Sequence, residues 1–301
     1  MWEPDPDWHP LPGGLGPATL GVWRAAVGDQ PVVIKRLIHP GPNDPVALSD
    51  PDHFAYWRRE AEVLMAGIVA ATEGVRAAAA AVAEDPDGIT ITSEYVEDAA
   101  NNGLFVAHAL GRFTLNDLSG VRHLARGQIG ARLARIEHHG GWPTLGRTTA
   151  GVVTDKLWAR RADLIAALAD APQVVAHGDP TPANMCGRDG DEVVALDWST
   201  LGFGPLGADL GQFALSAREA LEPLLESYAL GAEVDVDDAR LGAYATAAFT
   251  ALTRAEWSLS RAVRYDVPIE AAFRHPAVAP HLRVMTKVAD EIDWLLAHPR
   301  R

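Results

Sequence analysis

The chain has a single cysteine, Cys186, among 301 residues. It can form no intramolecular disulfide and offers neither a zinc-binding thiolate cluster nor a dithiol redox pair, so a reducing compartment fits. Positive charge is also scarce: 26 Lys and Arg face 40 Asp and Glu, a formal net charge of −14. Basic residues adjoin only in pairs such as Arg58-Arg59 and Arg160-Arg161, which argues against a surface built to grip nucleic-acid phosphates or an anionic membrane. Long apolar runs are missing as well. Residues 77–83, seven in number and mostly alanine, fall far short of the roughly 20 needed to cross a bilayer. The first ten residues, MWEPDPDWHP, carry three acids and no Lys or Arg, unlike the basic-then-apolar order of a secretion signal. A cytoplasmic protein with neither nucleic-acid nor membrane partners is expected. Hydrophobic residues at 48% and charged residues at 22% give a balance able to bury a core, and the length admits one large or two small domains.

What is present changes character along the chain. Residues 19–27 and 32–37 alternate like strands around a Gly28-Asp29-Gln30 turn signal, which predicts a hairpin. Just upstream, Gly13-Gly14-Leu15-Gly16-Pro17 forms a glycine-rich turn. A Pro- and Asp-rich loop over 39–52, a possible cover for a ligand, leads to a helix expected over about 54–69, with Tyr56 or Trp57, Ala61, Leu64, Met65 and Ile68 at helical spacing. The alanine-rich stretch from 77 reads as helix or loop, and 88–96 as a strand. Beyond Asn101-Asn102-Gly103 helical patterns take over at 104–110, 122–136 and 155–168, and again from 208 onward with interruptions at Gly231, Pro268 and Pro276. Between them, 174–198 is a compact insert of short strands and loops, and no internal repeat is present. The expected fold is α+β: a small strand-rich lobe over 1–97 and a larger, mainly helical lobe over 98–301.

One segment carries chemistry. His177-Gly178-Asp179-Pro180-Thr181-Pro182-Ala183-Asn184 is followed by Ala195-Leu196-Asp197-Trp198. Asp179 and Asn184 stand five positions apart on a loop, and Asp197 comes 13 residues later at the end of a strand, so three oxygen-bearing side chains can gather around one point. Such oxygens suit a hard cation like Mg²⁺, which takes few protein ligands and completes its shell with water and substrate phosphates. The remaining carboxylate can then orient or deprotonate an attacking hydroxyl. Singly, each of the three would read as an ordinary turn former; the joint spacing points to function.

This pattern resembles the aminoglycoside phosphotransferase and choline kinase-like family, small-molecule kinases with a two-lobe protein-kinase-like fold. The resemblance implies Asp179 as the catalytic base, with Asn184 and Asp197 holding Mg²⁺. It also implies a lysine late in an early strand that contacts the α- and β-phosphates of ATP or GTP, and Lys35 in Val32-Val33-Ile34-Lys35 is placed there. Glu60 resembles the acid that pairs with that lysine. Glu62 competes, but Glu60 shares a helical face with Leu64 and Ile68. Ser93-Glu94-Tyr95-Val96 is similar to the interlobe hinge, which assigns Glu94 and Val96 to the purine, and the glycine turn assigns Gly14 and Gly16 to the phosphates. Gly204-Pro205-Leu206-Gly207-Ala208-Asp209-Leu210 is similar to the family's G-x-P-x-x-D-L stretch, so the likeness runs from about 13 to 211.

The departures narrow the reading. The glycine turn does not complete G-x-G-x-x-G, because Thr19 stands at its last position. No G-x-x-x-x-G-K-[ST] occurs, which excludes a P-loop kinase, and no A-P-E or long activation segment follows Asp197, which favours a small-molecule acceptor over a protein. His177 reads as a structural residue, Asp209 as a brace for the loop and Cys186 as buried. Glu137-His138-His139 suits a helix end better than a metal site. The acceptor is expected between the loop and the late helices. Glu222, Glu226, Glu233, Asp235, Asp237 and Asp238 there form either a solvated face or a set of contacts for a cationic acceptor, and Trp257, Tyr265 and Trp294 read as core. The function expected is phosphoryl transfer to a hydroxyl of a small molecule, with a cationic one a candidate, an antibiotic first and otherwise a sugar, choline-like amine or nucleoside, by a monomer or homodimer. A nucleotide-binding pseudokinase and a protein kinase are the alternatives from other classes.

Overall fold

Alternating β-branched residues build the first layer. The computed structural model describes residues 2–12, 16, 18–143, 149–262 and 267–297. A short strand β1 (His9–Pro10) pairs with β2 (Thr19–Val27), which turns back through Gly28 (φ 61°) into β3 (Gln30–Ile38). A positive φ in a tight hairpin turn favours glycine. After helix α1 (Arg59–Ala66) and strand β4 (Val75–Ala77), strands β5 (Ala80–Asp85) and β6 (Gly88–Glu94) complete an antiparallel sheet in the order β1-β2-β3-β6-β5. β3 therefore lies inside the sheet, and its period of two sends Lys35 to one face and Arg36 to the other. Arg36 is fully buried, forked onto Asp85 at 2.6 and 2.8 Å and lying 4.9 Å from the Trp2 ring. Asp85, held by that guanidinium and by the Asp87 and Gly88 amides, is pushed down to about 2.

Two expectations fail here for local reasons. The helix placed over 54–69 is shorter, because residues before Arg59 form turns and Gly67 ends it in the left-handed conformation (φ 69°), a common helix C-terminus. Tyr56 and Trp57 precede it. The alanine-rich stretch forms strands instead of helix or loop: alanine's helix preference is overridden where β4 pairs with the later strand at 192–195 and β5 pairs with β6 through an Asp85–Gly88 turn.

The rest is mainly helical, as expected for a two-lobe protein-kinase-like fold. α2 (Gly103–Phe113) is capped by Asn102, whose side chain accepts from Phe105 N at 2.9 Å. α3 (Gln128–His138) starts later than the pattern at 122–136 predicted, and the helix expected over 155–168 is two, α4 (Thr149–Ala159) and α5 (Arg161–Asp170). β7 (Gln173–Ala176), β8 (Gly187–Asp189), β9 (Glu192–Ala195) and β10 (Gly202–Pro205) frame the insert; β9 joins β4 and β8, and β7 pairs with β10. Next come α6 (Ala208–Ala217), α7 (Leu221–Ala232), α8 (Val236–Ala262), the short α9 (Ile269–Ala272) and α10 (Ala279–Ala297). Gly231 does not interrupt α7. A Cβ there would lie 2.2 Å from the His108 carbonyl oxygen, and one at Gly111 2.2 Å from that of Tyr228, so the two glycines let α2 and α7 touch backbone to backbone.

One core, around Phe113, Trp198, Leu210 and Tyr228, lies beneath the insert, and a second, around Ile136, Leu164, Phe249 and Met285, joins α3, α5, α8 and α10. Trp257 and Trp294 are not core. They are 47% and 55% exposed, because the buried stripe of α8 runs through Ala248, Ala251, Leu252 and Ala255 and that of α10 through Met285, Ala289 and Ile292. Tyr265 lies outside the described residues.

Candidate active site

The first cluster joins three distant parts of the chain. Lys35 Nζ on β3 donates to Glu60 Oε2 on α1 at 2.6 Å and to Asp197 Oδ1, just after β9, at 3.1 Å. Glu60 is buried, as its face-sharing with Leu64 predicted, whereas the Asp197 side chain remains 39% exposed to the cleft. Burial opposes the lysine charge, but the two carboxylates outweigh it and hold the Lys35 pKa above its ordinary value. Burial pushes Glu60 up, with Lys35 pulling against it. Burial also works to raise Asp197, yet Lys35 and a hydrogen bond from Ser199 keep its carboxyl below the usual range. Glu62 points elsewhere, accepting from Tyr56 OH at 3.2 Å with Arg58 3.4 Å away.

The second cluster is the loop after β7. Asn184 Nδ2 donates to Asp179 O at 2.8 Å and to Asp179 Oδ2 at 3.2 Å, and Gln212 Nε2 of α6 donates to Asp179 Oδ1. Both carboxylate oxygens are thereby fixed in direction. The loop is braced from below: Asp209 accepts from the backbone N–H groups of His177 at 2.6 Å and Gly178 at 3.0 Å, as the sequence led us to expect. Burial raises the Asp209 carboxyl, and these amides counter it. His177 is fully buried, its Nε2 3.1 Å from the Leu196 carbonyl oxygen and its ring 4.9 Å from that of Trp198. Gly178 has φ 82°, and a Cβ there would lie 2.5 Å from the Thr200 carbonyl oxygen, so the turn into Asp179 requires glycine. Leu196 N donates to Asn184 O at 2.8 Å, which sets Asp197 beside Asn184 and brings the two clusters together.

Asp197 has a positive φ of 61°, a conformation that Asp tolerates better than most residues. Asn184 commits its amide nitrogen to Asp179, which leaves its side-chain carbonyl oxygen available as a metal ligand on the segment next to Asp197. One carboxylate and one amide oxygen form a hard donor pair that fits Mg²⁺ shared with substrate phosphates. Among the described residues no three His, Cys, Asp or Glu side chains gather around a further metal position.

A cleft cavity of about 220 Å³ is bounded by Lys35, Glu60, Asp197, Ser199, Tyr56 and Gly16, with Leu48 from the 39–52 loop. Gly16 is thus beside the first cluster; Gly14 lies outside the described residues. Glu94 and Val96 are not part of this cluster. Glu94 pairs with Val32, three residues along β3 from Lys35 and so about 10 Å away, and Val96 packs against Gly187. Cys186 is half-buried, not buried, and burial pushes its thiol up.

Arg59 was not singled out by any pattern, yet it ties the cleft together. Fully buried, it spends all five N–H donors on carbonyls of Pro51, His53, Phe54, His123 and Ser199. Burial pushes its pKa down to about 10. Arg59→Ala would strand these carbonyls, each worth about 1–3 kcal/mol when buried and unpaired. We expect a loss of roughly 3 kcal/mol or more in denaturant unfolding, and Arg59→Lys, lacking the planar fork, should restore little of it. An unchanged unfolding midpoint for Arg59→Ala would contradict this role.

Behind the loop lies a second cavity, of about 280 Å³, with Gln128, Ile129 and Arg132 of α3, Leu168 of α5, Phe203 of β10, Gln212 of α6 and Thr246 and Thr250 of α8 in its walls. The six late acids do not line it. Glu222 binds Arg240 and Tyr244, and Asp237 pairs with Arg240 at 3.2 Å. His139 meets Glu256 at 3.4 Å. Gln212 and Arg132 were both missed; the spacing of Gln212 three residues after Asp209, one helical turn on, was the available signal.

The sequence model of the phosphotransferase enzyme family (APH) matches residues 69–245. Among solved structures, the chain is similar to an aminoglycoside 2'-phosphotransferase-IIIa bound to GDP, with 11% identity and a TM-score of 0.61 over 94% of this chain and 92% of that one. It is similar to the choline kinase LicA from Streptococcus pneumoniae, at 12% identity and a TM-score of 0.57 over 94% and 93%. It is also similar to a choline/ethanolamine kinase family protein from Mesorhizobium loti, at 17% identity and a TM-score of 0.56 over 93% and 92%. Comparison with curated proteins gives no match.

Proposed function

The chain belongs to the phosphotransferase enzyme family, and from that premise we propose that it moves the γ-phosphoryl group of ATP or GTP to a hydroxyl of a small molecule. The observation that carries the reading is the meeting of Lys35, Glu60 and Asp197 beside the Asp179–Asn184 loop. In this reading the nucleotide lies between residues 1–97 and 98–301, with its purine on the backbone of Glu94 and Val96 and its phosphates near Gly16. Lys35, oriented by Glu60, steadies the α- and β-phosphates. Asn184 and Asp197 would hold Mg²⁺, which supplies charge neutralisation to the phosphates. Asp179, its two oxygens aimed by Asn184 and Gln212, accepts or orients the acceptor proton as the oxygen attacks phosphorus. Catalysis of this kind is mostly placement and charge compensation.

An antibiotic-inactivating role and a metabolic role share these groups, and relatives of the fold are described as aminoglycoside, amicoumacin and choline kinases. A protein acceptor is disfavoured because α6 begins at Ala208, soon after Asp197. A pseudokinase is disfavoured because the Lys35–Glu60 pair and Asp179, Asn184 and Asp197 are all present. The test is nucleotide consumption, with ATP and GTP run separately, against hydroxylated amines, sugars, nucleosides and hydroxy acids, with drug susceptibility of expressing cells measured alongside. We expect acceptor-dependent turnover that excess EDTA abolishes. Nucleotide-induced thermal stabilisation with no transfer to any acceptor would favour a nucleotide-binding protein that is not an enzyme.

A further inference from the structure

Two arginines stand near the Asp179 loop in a molecule whose net charge is −14, while the one carboxylate among the described residues of the cavity wall, Asp209, is spent on the amides of His177 and Gly178. Along α8, Thr246, Thr250 and Arg254 recur every four residues and so share one face. The two threonines line the cavity behind the loop, and Arg254 continues their row. Its guanidinium donates to Ser216 Oγ at 3.0 Å, Ser216 Oγ donates to the Gln212 carbonyl oxygen at 2.8 Å, and the Gln212 side chain holds Asp179. Along α3, Gln128 donates to the Gly178 carbonyl oxygen at 3.0 Å, and one turn later Arg132 lines the same cavity, 5.4 Å from the Phe54 ring. Two helices thus carry an arginine each toward this region: Arg132 in the cavity wall, and Arg254 one turn beyond Thr250, linked through Ser216 to the helix that holds Gln212.

Among the described residues neither guanidinium is ion-paired with a carboxylate: Arg254 meets a hydroxyl and Arg132 an aromatic face. Burial lowers the pKa of both, Asp179 is the one described carboxylate that counters it in each, and Arg132 is further lowered by Arg254 and Arg135. His281 of α10 is also held low, by burial and then by Arg254 and Arg218. Partly buried guanidiniums without a carboxylate in contact favour binding of an anion, and their forks match a carboxylate in plane and spacing.

We infer that the acceptor is an anionic hydroxy compound, whose carboxylate is held by Arg132 and Arg254 while its apolar body enters the cavity between Ile129, Leu168 and Phe203. This rests on the phosphotransferase reading above and names its substrate class, in place of the cationic acceptor that the overall acidity invited. Thr246 adds a second contact: the residue is 4% exposed and lines the cavity, and its hydroxyl has no hydrogen-bond partner among the described residues, so it can meet a polar atom of the acceptor.

Three near-isosteric probes test the charge alone: 4-(hydroxymethyl)benzoate, its methyl ester and 4-(hydroxymethyl)benzylamine, each titrated calorimetrically and assayed for MgATP consumption. The benzoate should bind about tenfold or more tighter than the ester, and the amine weakest. Arg132→Gln and Arg254→Gln should each erase most of that preference, with the MgATP-induced melting shift reporting that the variants are folded. Equal binding of the three, a preference for the amine, no binding of the benzoate, or a preference that survives both substitutions overturns the inference. Failure of every hydroxyl compound to support nucleotide consumption, while the benzoate still binds through the arginines, overturns the phosphotransferase reading instead.

Discussion

Asp197→Ala is expected to reduce metal-dependent phosphoryl transfer to background, a loss of at least about 10³-fold, the scale on which single charged groups act at a transferring phosphoryl. Asp197 supplies the one carboxylate of the proposed metal pair, and Asn184 alone adds no charge to offset a divalent ion. Lys35 should stay in place, because its 2.6 Å bond to Glu60 remains, so the loss would report on the metal and not on a displaced lysine. Asp197→Asn is the better companion variant: asparagine tolerates the positive φ of 61° found here, whereas alanine carries a backbone strain of about 1 kcal/mol. Melting curves with and without MgATP provide the second readout. A ligand at a hundred times its Kd stabilises by about 2.7 kcal/mol, and that gain should shrink in both variants. Near wild-type turnover at any magnesium concentration would sink the assignment.

Asp179→Asn should behave differently, with kcat falling about 10²- to 10⁴-fold while the MgATP-induced melting shift persists. The substitution keeps the shape of the side chain and removes its capacity to accept a proton. It also presents an NH₂ to one of the two amides, Asn184 Nδ2 or Gln212 Nε2, that now donate to the carboxylate, so a modest loss of stability should accompany the kinetic one. The contrast between the two variants is the informative result: one loses nucleotide-linked stabilisation and turnover, the other turnover alone. An Asp179→Asn enzyme that retains most of its kcat would show that placement suffices and that this carboxylate is not the base.

Much of this arrangement is legible from short-range pattern. The hairpin that carries Lys35 follows from strand alternation around Gly28, and the spacing of His177-Gly178-Asp179, Asn184 and Asp197 lies within one local insert. Glu60 could be chosen over Glu62 because helical periodicity fixes which of the two faces inward, although the helix itself proved shorter than its apolar pattern. The errors arise where a neighbour from far along the chain overrides local preference. Ala77 enters strand β4 because the much later strand β9 pairs with it, and Gly231 stays helical because α2 needs its missing side chain. Trp257 and Trp294 lie outside the buried stripes because alanines and Met285 pack there instead.

By itself, then, the sequence determined the kinase-like class of the fold and the residue types of its chemistry, since a motif of fixed spacing on one loop needs no distant partner to be recognised. Only the tertiary structure decided which charges meet. Lys35 reaches Asp197 across 162 residues, Arg59 ties carbonyls from three separate segments into one wall, and Arg132 and Arg254, on two different helices, both feel the Asp179 charge. A net charge of −14 averages over the whole surface, whereas recognition depends on the few groups within reach of the reacting atoms, because water and salt screen the rest. That is why an acidic chain can present a cationic site.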